Sequence, residues 1–299
     1  MLTLTLLRRS LFFASIDRMM SSNSNVIHNH YEHVLDAYKS DVYFTKTTEY
    51  KKQIQGYIID LLNLQRLGDN NNNDSNVINI VDLGTILTLI LTLILILILT
   101  GGGMGDLCVD LRTQLDKFYS FLCVDPSSDL INEARRNGID SIIADALEFS
   151  LLDNKYDIIL MKEMIHHIPI QSLTTVFQNI HKQLNPSGSI MIETRPVDTD
   201  FPFFNKVKEI WKTTQPPASV FISSLIESNY VTTTYEREYK VIMSKQHWYQ
   251  FIRNRSFSEL SLCSDDDIET GITELEQKYQ DTDTLHFSDK LIFIIATKK

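Results

Sequence analysis

Apolar positions fall into short continuous runs separated by amphipathic stretches. VINIVDLG (77–84), FLCVD (121–125), DSIIAD (140–145), YDIILM (156–161) and SIMIET (189–194) are apolar at consecutive positions, as strands buried on both sheet faces are. Between them, DLINEARRNG has helical spacing with a stop at Gly138, and PIQSLTTVFQNIHKQL has helical spacing closed by an NPSG turn at Asn185–Gly188. Strand and helix alternating at this rhythm predict βαβ units and a mostly parallel sheet with helices on both faces.

The two ends differ from this middle. Residues 28–67 read as helical, with Tyr57, Ile58, Leu61, Leu62 and Leu64 as apolar contacts. In the last third, YVTTTYEREYKVIM and TLHFSDKLIFIIATKK are long strand-like runs, and two helical pieces lie between them near Gln246–Arg255 and Asp265–Tyr279. They predict a terminal antiparallel strand pair with a helical insertion over 244–283. GDNNNNDSN (68–76) has no apolar residue with which to join a core and reads as a loop.

One stretch breaks the pattern. VDLGTILTLILTLILILILTGGGMGDL opens as a strand and glycine turn, runs through fifteen residues of only Ile, Leu and Thr (Ile86–Thr100), then resumes with glycines. The run is shorter than the ~20 residues a membrane-crossing helix needs, and extending it backwards takes in Asp82 and Asn79. As a hairpin it lacks a turn residue. Without it the text is VINIVDLGTGGGMGDL, in which Asp82, Gly84, Gly101 and Gly103 form D-x-G-x-G-x-G between a strand and a helix. Glycines there let the backbone turn sharply and approach a flat nucleoside. The expectation is one motif in two pieces, with Thr85 and Thr100 flanking the insert identically.

Composition narrows the function. With 38 acidic and 28 basic residues, the net charge of −10 argues against a protein that grips nucleic-acid backbones. Three scattered cysteines suit neither a disulfide framework nor a zinc finger. Residues 1–25 read as an extension ahead of a single domain at 26–299. Arg8, Arg9, Arg18 and the Ser/Thr content suit a mitochondrial presequence; a start at Met19 or Met20 is the other reading. The expected compartment is the cytoplasm, or the mitochondrion if the presequence is real.

The dinucleotide fingerprint G-x-G-x-x-G fails in the joined text, and no G-K-[ST] follows. The text instead resembles the first motif of class I S-adenosylmethionine-dependent methyltransferases, and the resemblance extends from Val77 to Glu193. FLCVDPS ends its strand in Asp125, with Pro126 next, where the family places an acid on the ribose diol. IADALEF supplies Asp145 and Ala146, where it contacts adenine. YDIILMKEMIHHIP matches its fourth-strand segment, and LNPSGSIMIETRP its next turn and strand. The resemblance is broadest to the small-molecule enzymes of the ubiquinone/menaquinone-biosynthesis type.

It implies a Rossmann-like, mostly parallel seven-stranded sheet, a helical N-terminal lid, S-adenosylmethionine as cofactor and a small-molecule acceptor. Cofactor-binding candidates are Asp82, Gly84, Thr85, Gly101, Gly103, Asp125, Pro126, Asp145, Ala146 and Lys162. Catalytic candidates are Glu163, His166 and His167. Asp145 could equally cap a helix, and the adjacent histidines are expected to point apart. No metal site is expected from His28, His30 and His33. Tyr31 and Tyr38 are lid candidates, and Phe201, Phe203, Phe204, Trp211 and Trp248 either wall an acceptor pocket or pack a core. Two alternatives stand beside methyl transfer: a homologue disabled by the insertion, and a nicotinamide-dependent oxidoreductase.

Overall fold

The structure is a computed structural model that describes residues 44–64, 78–83, 104–115 and 119–299. The extension over 1–25, His28, His30, His33, Tyr31, Tyr38, the Asn-rich loop, Gly84, Thr85, the insert, Gly101 and Gly103 lie outside them. After a 3-10 turn at Phe44–Lys46 come α1 (Thr48–Leu61), β1 (Ile78–Leu83), α2 (Asp106–Gln114), β2 (Tyr119–Asp125), α3 (Ser128–Arg136), β3 (Asp140–Ile143), α4 (Ala146–Ser150) and β4 (Tyr156–Lys162). A 3-10 turn at Ile165–His167 leads into α5 (Ile170–Gln183), β5 (Leu184–Thr194), α6 (Asn205–Thr214), α7 (Ala218–Glu227), β6 (Tyr230–Ser244), α8 (Lys245–Arg253), α9 (Asp265–Lys278) and β7 (Thr284–Lys298).

The strands lie in the order β3-β2-β1-β4-β5-β7-β6. β1 pairs in parallel with β2 and β4, β2 with β3, and β4 with β5; β7 joins β5 antiparallel. Strand order reverses at β1, so the carboxyl ends of β1, β2 and β4 meet at the crevice where open α/β sheets bind ligands. The α/β class and parallel middle agree with the sequence expectation.

Side chains alternate along each strand and sort the core into two faces. Leu122 and Val124 of β2, Ile159 and Met161 of β4, Ile190 and Ile192 of β5, and Ile294 and Ala296 of β7 pack with Leu173, Val176, Phe177 and Ile180 of α5 and with Phe221 and Leu225 of α7. The α5 residues recur at helical spacing, so one stripe of that helix is buried. On the opposite face, Tyr57 of α1 meets Phe293 edge-on at 6.0 Å between ring centroids.

Helix ends follow cap chemistry. Ser127 accepts the Leu130 N–H at the start of α3; Gly138, at φ 70, follows its end, where only a residue without Cβ turns cheaply. The predicted NPSG turn is corrected. Asn185–Gly188 lie within β5, where the register jumps between the Tyr156–Leu184 and Ile158–Ser189 pairs. The four residues leave the ladder as a bulge, and the Asn185 amide donates to Asp157 Oδ1 at 2.6 Å.

The chain divides into two compact units. The larger comprises Thr48–Phe201, Lys212–Lys240 and Ser288–Lys299; the smaller includes Pro202–Trp211 and Val241–Phe287. An aromatic cluster fills the smaller. Trp248 stacks on Phe251 at 4.9 Å, Phe203 lies 5.5 Å from Trp248, and the Trp248 indole N–H donates to the Pro202 carbonyl at 2.8 Å. Phe203, Trp211 and Trp248 are therefore core residues, which decides between the two readings offered for them.

Gly271 of α9 lies against the ring of Phe204, closer than any Cβ could approach, and Phe204 is buried and cannot swing away. Gly271→Ala should destabilise the protein by about 1–3 kcal/mol through overpacking, exceeding the ~1 kcal/mol gain in helix propensity. The midpoint of urea denaturation measures this.

Candidate functional site

Two clusters occupy the carboxyl edge of the parallel strands. The first centres on Asp125, the last residue of β2, only 3% exposed. Its Oδ1 accepts the Ser127 N–H at 2.8 Å, and its backbone carbonyl accepts the Ala144 N–H at 3.2 Å, which ties it to the end of β3. Burial pushes the Asp125 carboxyl up to about 7, against the smaller pull of the Ser127 N–H. Pro126 follows directly. Asp82, penultimate in β1, is in register with Cys123 and Leu160, so it falls at the same edge.

Asp145 is drawn into structural work. Its Oδ1 accepts the Glu148 N–H at 2.7 Å, while Glu148 Oε2 accepts the Asp145 N–H at 3.2 Å. This capping box starts α4 and places Ala146, which is buried, at the first helical position.

The second cluster follows β4 and β5. Lys162 and Glu193, in register, form an ion pair at 3.0 Å. Glu163 adopts φ 56, rare for a residue with a side chain, and its N–H donates to the Glu193 carbonyl at 3.0 Å. Its carboxylate pairs with Arg195 Nη1. From its other edge, Arg195 holds Asp289 of β7 with Nε at 2.7 Å and Nη2 at 2.8 Å. The Tyr50 hydroxyl of α1 donates to Asp289 Oδ2 at 2.9 Å. Arg195 is 5% exposed and Asp289 fully buried. Burial and the adjacent Asp289 carboxylate raise the Tyr50 phenol well above its ordinary range.

The sequence reading named Lys162 and Glu163 and passed over Glu193, Arg195, Asp289 and Tyr50. Strand parity was the available signal: charged residues stand at Glu193 and Asp289 on faces where neighbouring positions are apolar.

His166 and His167 do not point apart as expected. In the tight turn their rings lie side by side, 4.1 Å between centroids and tilted by 50°. Burial, then the His167 ring, holds His166 well below the usual imidazole range; burial takes His167 down to about 4. Both rings are neutral at pH 7, and His166 Nδ1 has no hydrogen-bond partner among the described residues. Groups of three or more His, Cys, Asp or Glu suited to a metal ion are absent among the described residues.

Residues 98–188 match the model of a family described as a methyltransferase domain. No curated protein matches the chain. A provisionally assigned methyltransferase from an antibiotic biosynthesis pathway of Anabaena variabilis is 16% identical, with a TM-score of 0.52, covering 81% of this chain and 96% of that one. An S-adenosylmethionine-dependent methyltransferase from Archaeoglobus fulgidus is 13% identical, with a TM-score of 0.47, over 83% and 94%. The Anabaena protein shares the fold.

The two clusters have different expected responses. Asp125 titrates near 7 when folded, against about 4 when unfolded, so the folded state holds the extra proton between those values. Stability is then lost as pH rises through that window. Asp125→Asn should raise the urea midpoint relative to the parent at pH 8 and leave it nearly unchanged at pH 4, measured without ligand. Arg195→Met would strand the buried Asp289 carboxylate and the half-buried Glu163 carboxylate and should cost about 3–5 kcal/mol in the same measurement.

Proposed function

We propose that this chain is an S-adenosylmethionine-dependent methyltransferase of class I and that it transfers the methyl group to a small-molecule acceptor seated at the carboxyl ends of β4 and β5. The observation that carries the cofactor assignment is Asp125. This carboxyl, 3% exposed at the end of a parallel strand, accepts the Ser127 N–H through Oδ1, and a ribose diol brings two further donors. Those donors would favour the ionised carboxylate and offset its desolvation.

The residues present fit the cofactor. Asp125 and Pro126 would hold its ribose. Asp145 is committed through Oδ1 to the α4 cap, so an adenine contact falls more naturally on Ala146 and the adjoining backbone. Asp82, with Gly84, Thr85, Gly101 and Gly103 outside the described residues, would form the turn beside it, and Lys162 would wall the methyl-transfer side. When bound, S-adenosylmethionine supplies an electrophilic sulfonium methyl, which leaves the chain to hold the acceptor in line. A general base works best with a pKa near the working pH. His167, at about 4, and His166, held low by burial, therefore suit the positioning of an acceptor better than proton abstraction.

Calorimetric titration of S-adenosylmethionine into the full chain and into a chain lacking residues 86–100 tests this reading. The shorter chain should bind, the full chain more weakly, and affinity should tighten as pH rises through 7 because the diol favours the carboxylate. Asp125→Ala should weaken binding by about 1–3 kcal/mol and flatten that pH dependence. Binding of NAD(H) with none of S-adenosylmethionine would overturn the assignment.

A further inference from the structure

We infer that the methyl acceptor carries an amino group, held by the carboxylates of Glu163 and Glu193; this deepens the methyl-transfer reading above and rests on it. Strand parity brings the groups together. Lys162 lies two residues beyond Leu160 on β4, Glu193 two beyond Met191 on β5, and Asp289 four before Phe293 on β7. All therefore lie on the face where Phe293 meets α1. Arg195 and Tyr50 join them through the contacts to Asp289.

Among the described residues, the cluster is short of positive charge. Glu163, Glu193 and Asp289 bring three carboxylates, and Lys162 and Arg195 bring two cations, leaving one formal negative charge. It is also short of donors. Glu163 Oε1 and Glu193 Oε2 are buried atoms with no hydrogen-bond partner among the described residues, and the Glu193 residue is 2% exposed. Both unmet oxygens belong to the β4 and β5 ends, where the Glu163 N–H meets the Glu193 carbonyl. Asp289, the third carboxylate, is satisfied by Arg195 and Tyr50. Buried carboxylate oxygens left without donors are costly, and a left-handed Glu163 adds backbone strain at the same corner.

Acceptor classes differ in what they bring to such a site. A carboxylate or phosphate adds a second uncompensated negative charge. A hydroxyl brings one donor and no charge. An ammonium brings up to three donors and the missing positive charge. Transfer to that nitrogen needs its lone pair. One ammonium proton passes to a carboxylate of the pair, the lone pair forms the N–C bond, and the electrons of the C–S bond leave with sulfur. Burial pushes the Glu193 carboxyl upward, against the pull of Lys162, which suits it to receive that proton.

The test uses the full chain near neutral pH at constant ionic strength, with n-butylamine, n-butanol and butyrate as matched probes. Each is titrated with and without S-adenosylhomocysteine, and thermal stabilisation is read. Butylamine should give a saturable rise in Tm, and butanol and butyrate none. Glu163→Gln and Glu193→Gln should each weaken the butylamine response at least tenfold, with the Kd for S-adenosylhomocysteine changed less than about threefold. An equal response to butanol or butyrate, or no saturable response to butylamine, overturns the inference. Selectivity in the unsubstituted chain decides the matter even if a variant fails to fold. Binding of S-adenosylhomocysteine without amine selectivity sinks this inference alone; amine binding without S-adenosylhomocysteine binding sinks the methyl-transfer reading instead.

Discussion

Arg195 is the interaction on which the carboxyl edge of the sheet depends. It stands one residue past β5 and reaches Glu163, one past β4, and Asp289 in β7, while the Tyr50 hydroxyl of α1 closes the far side of Asp289. One planar guanidinium thereby joins three strands and a helix. A lysine could offer no such fork, because its ammonium is a point charge without two edges. Buried ion pairs are often no better than apolar packing for stability alone. Here the pairing fixes where Glu163 stands, and it does so against an unfavourable backbone conformation.

The edge as a whole is built from charges that burial makes expensive. Asp125 is pushed up to about 7, Glu193 is raised, and both histidines are held neutral. On the proposed reading, each cost falls when a ligand arrives: a diol adds donors at Asp125, and an ammonium adds a cation at the Glu163–Glu193 pair. Perturbed groups gathered at the carboxyl ends of parallel strands are where a binding site is expected on physical grounds. The opposite, amino-terminal end of β5 offers a contrast. There the Asn185 amide and the Asp157 carboxylate satisfy one another across a bulge.

Much of this framework was legible in the sequence because parallel strands are buried on both faces and read as continuous apolar runs. The sequence reading left these caps unused: Ser127 opens α3 and the Ser264–Asp267 box opens α9 as side-chain chemistry dictates. Asp145 could not be decided from sequence, since a cap and an adenine contact ask for the same residue type. α6 and α7 went unrecognised between more strongly patterned neighbours. The Arg195–Asp289 pair was hidden by distance: 94 positions separate the partners, and each alone looks like an ordinary charge. The histidine pair failed for another reason. Side-chain directions at adjacent positions depend on the turn that carries them, and a 3-10 turn laid the rings together.

The stretch read as an interrupted glycine motif is bounded on both sides by independent observations. On one side, β1 is fixed by backbone pairing to β2 and β4 and ends at Leu83, with Asp82 in register at the ligand edge. On the other, the family match begins at residue 98, and α2 starts at Asp106 behind Gly105, whose φ of 74 suits a turn that no larger residue makes cheaply. Residues 84–105 thus join a strand and a helix across a connection well beyond the ~2–6 residues usual for a βα loop. We read it as a single strand–turn–helix unit opened by a simple repeat, between a strand held by pairing and a helix that begins behind Gly105.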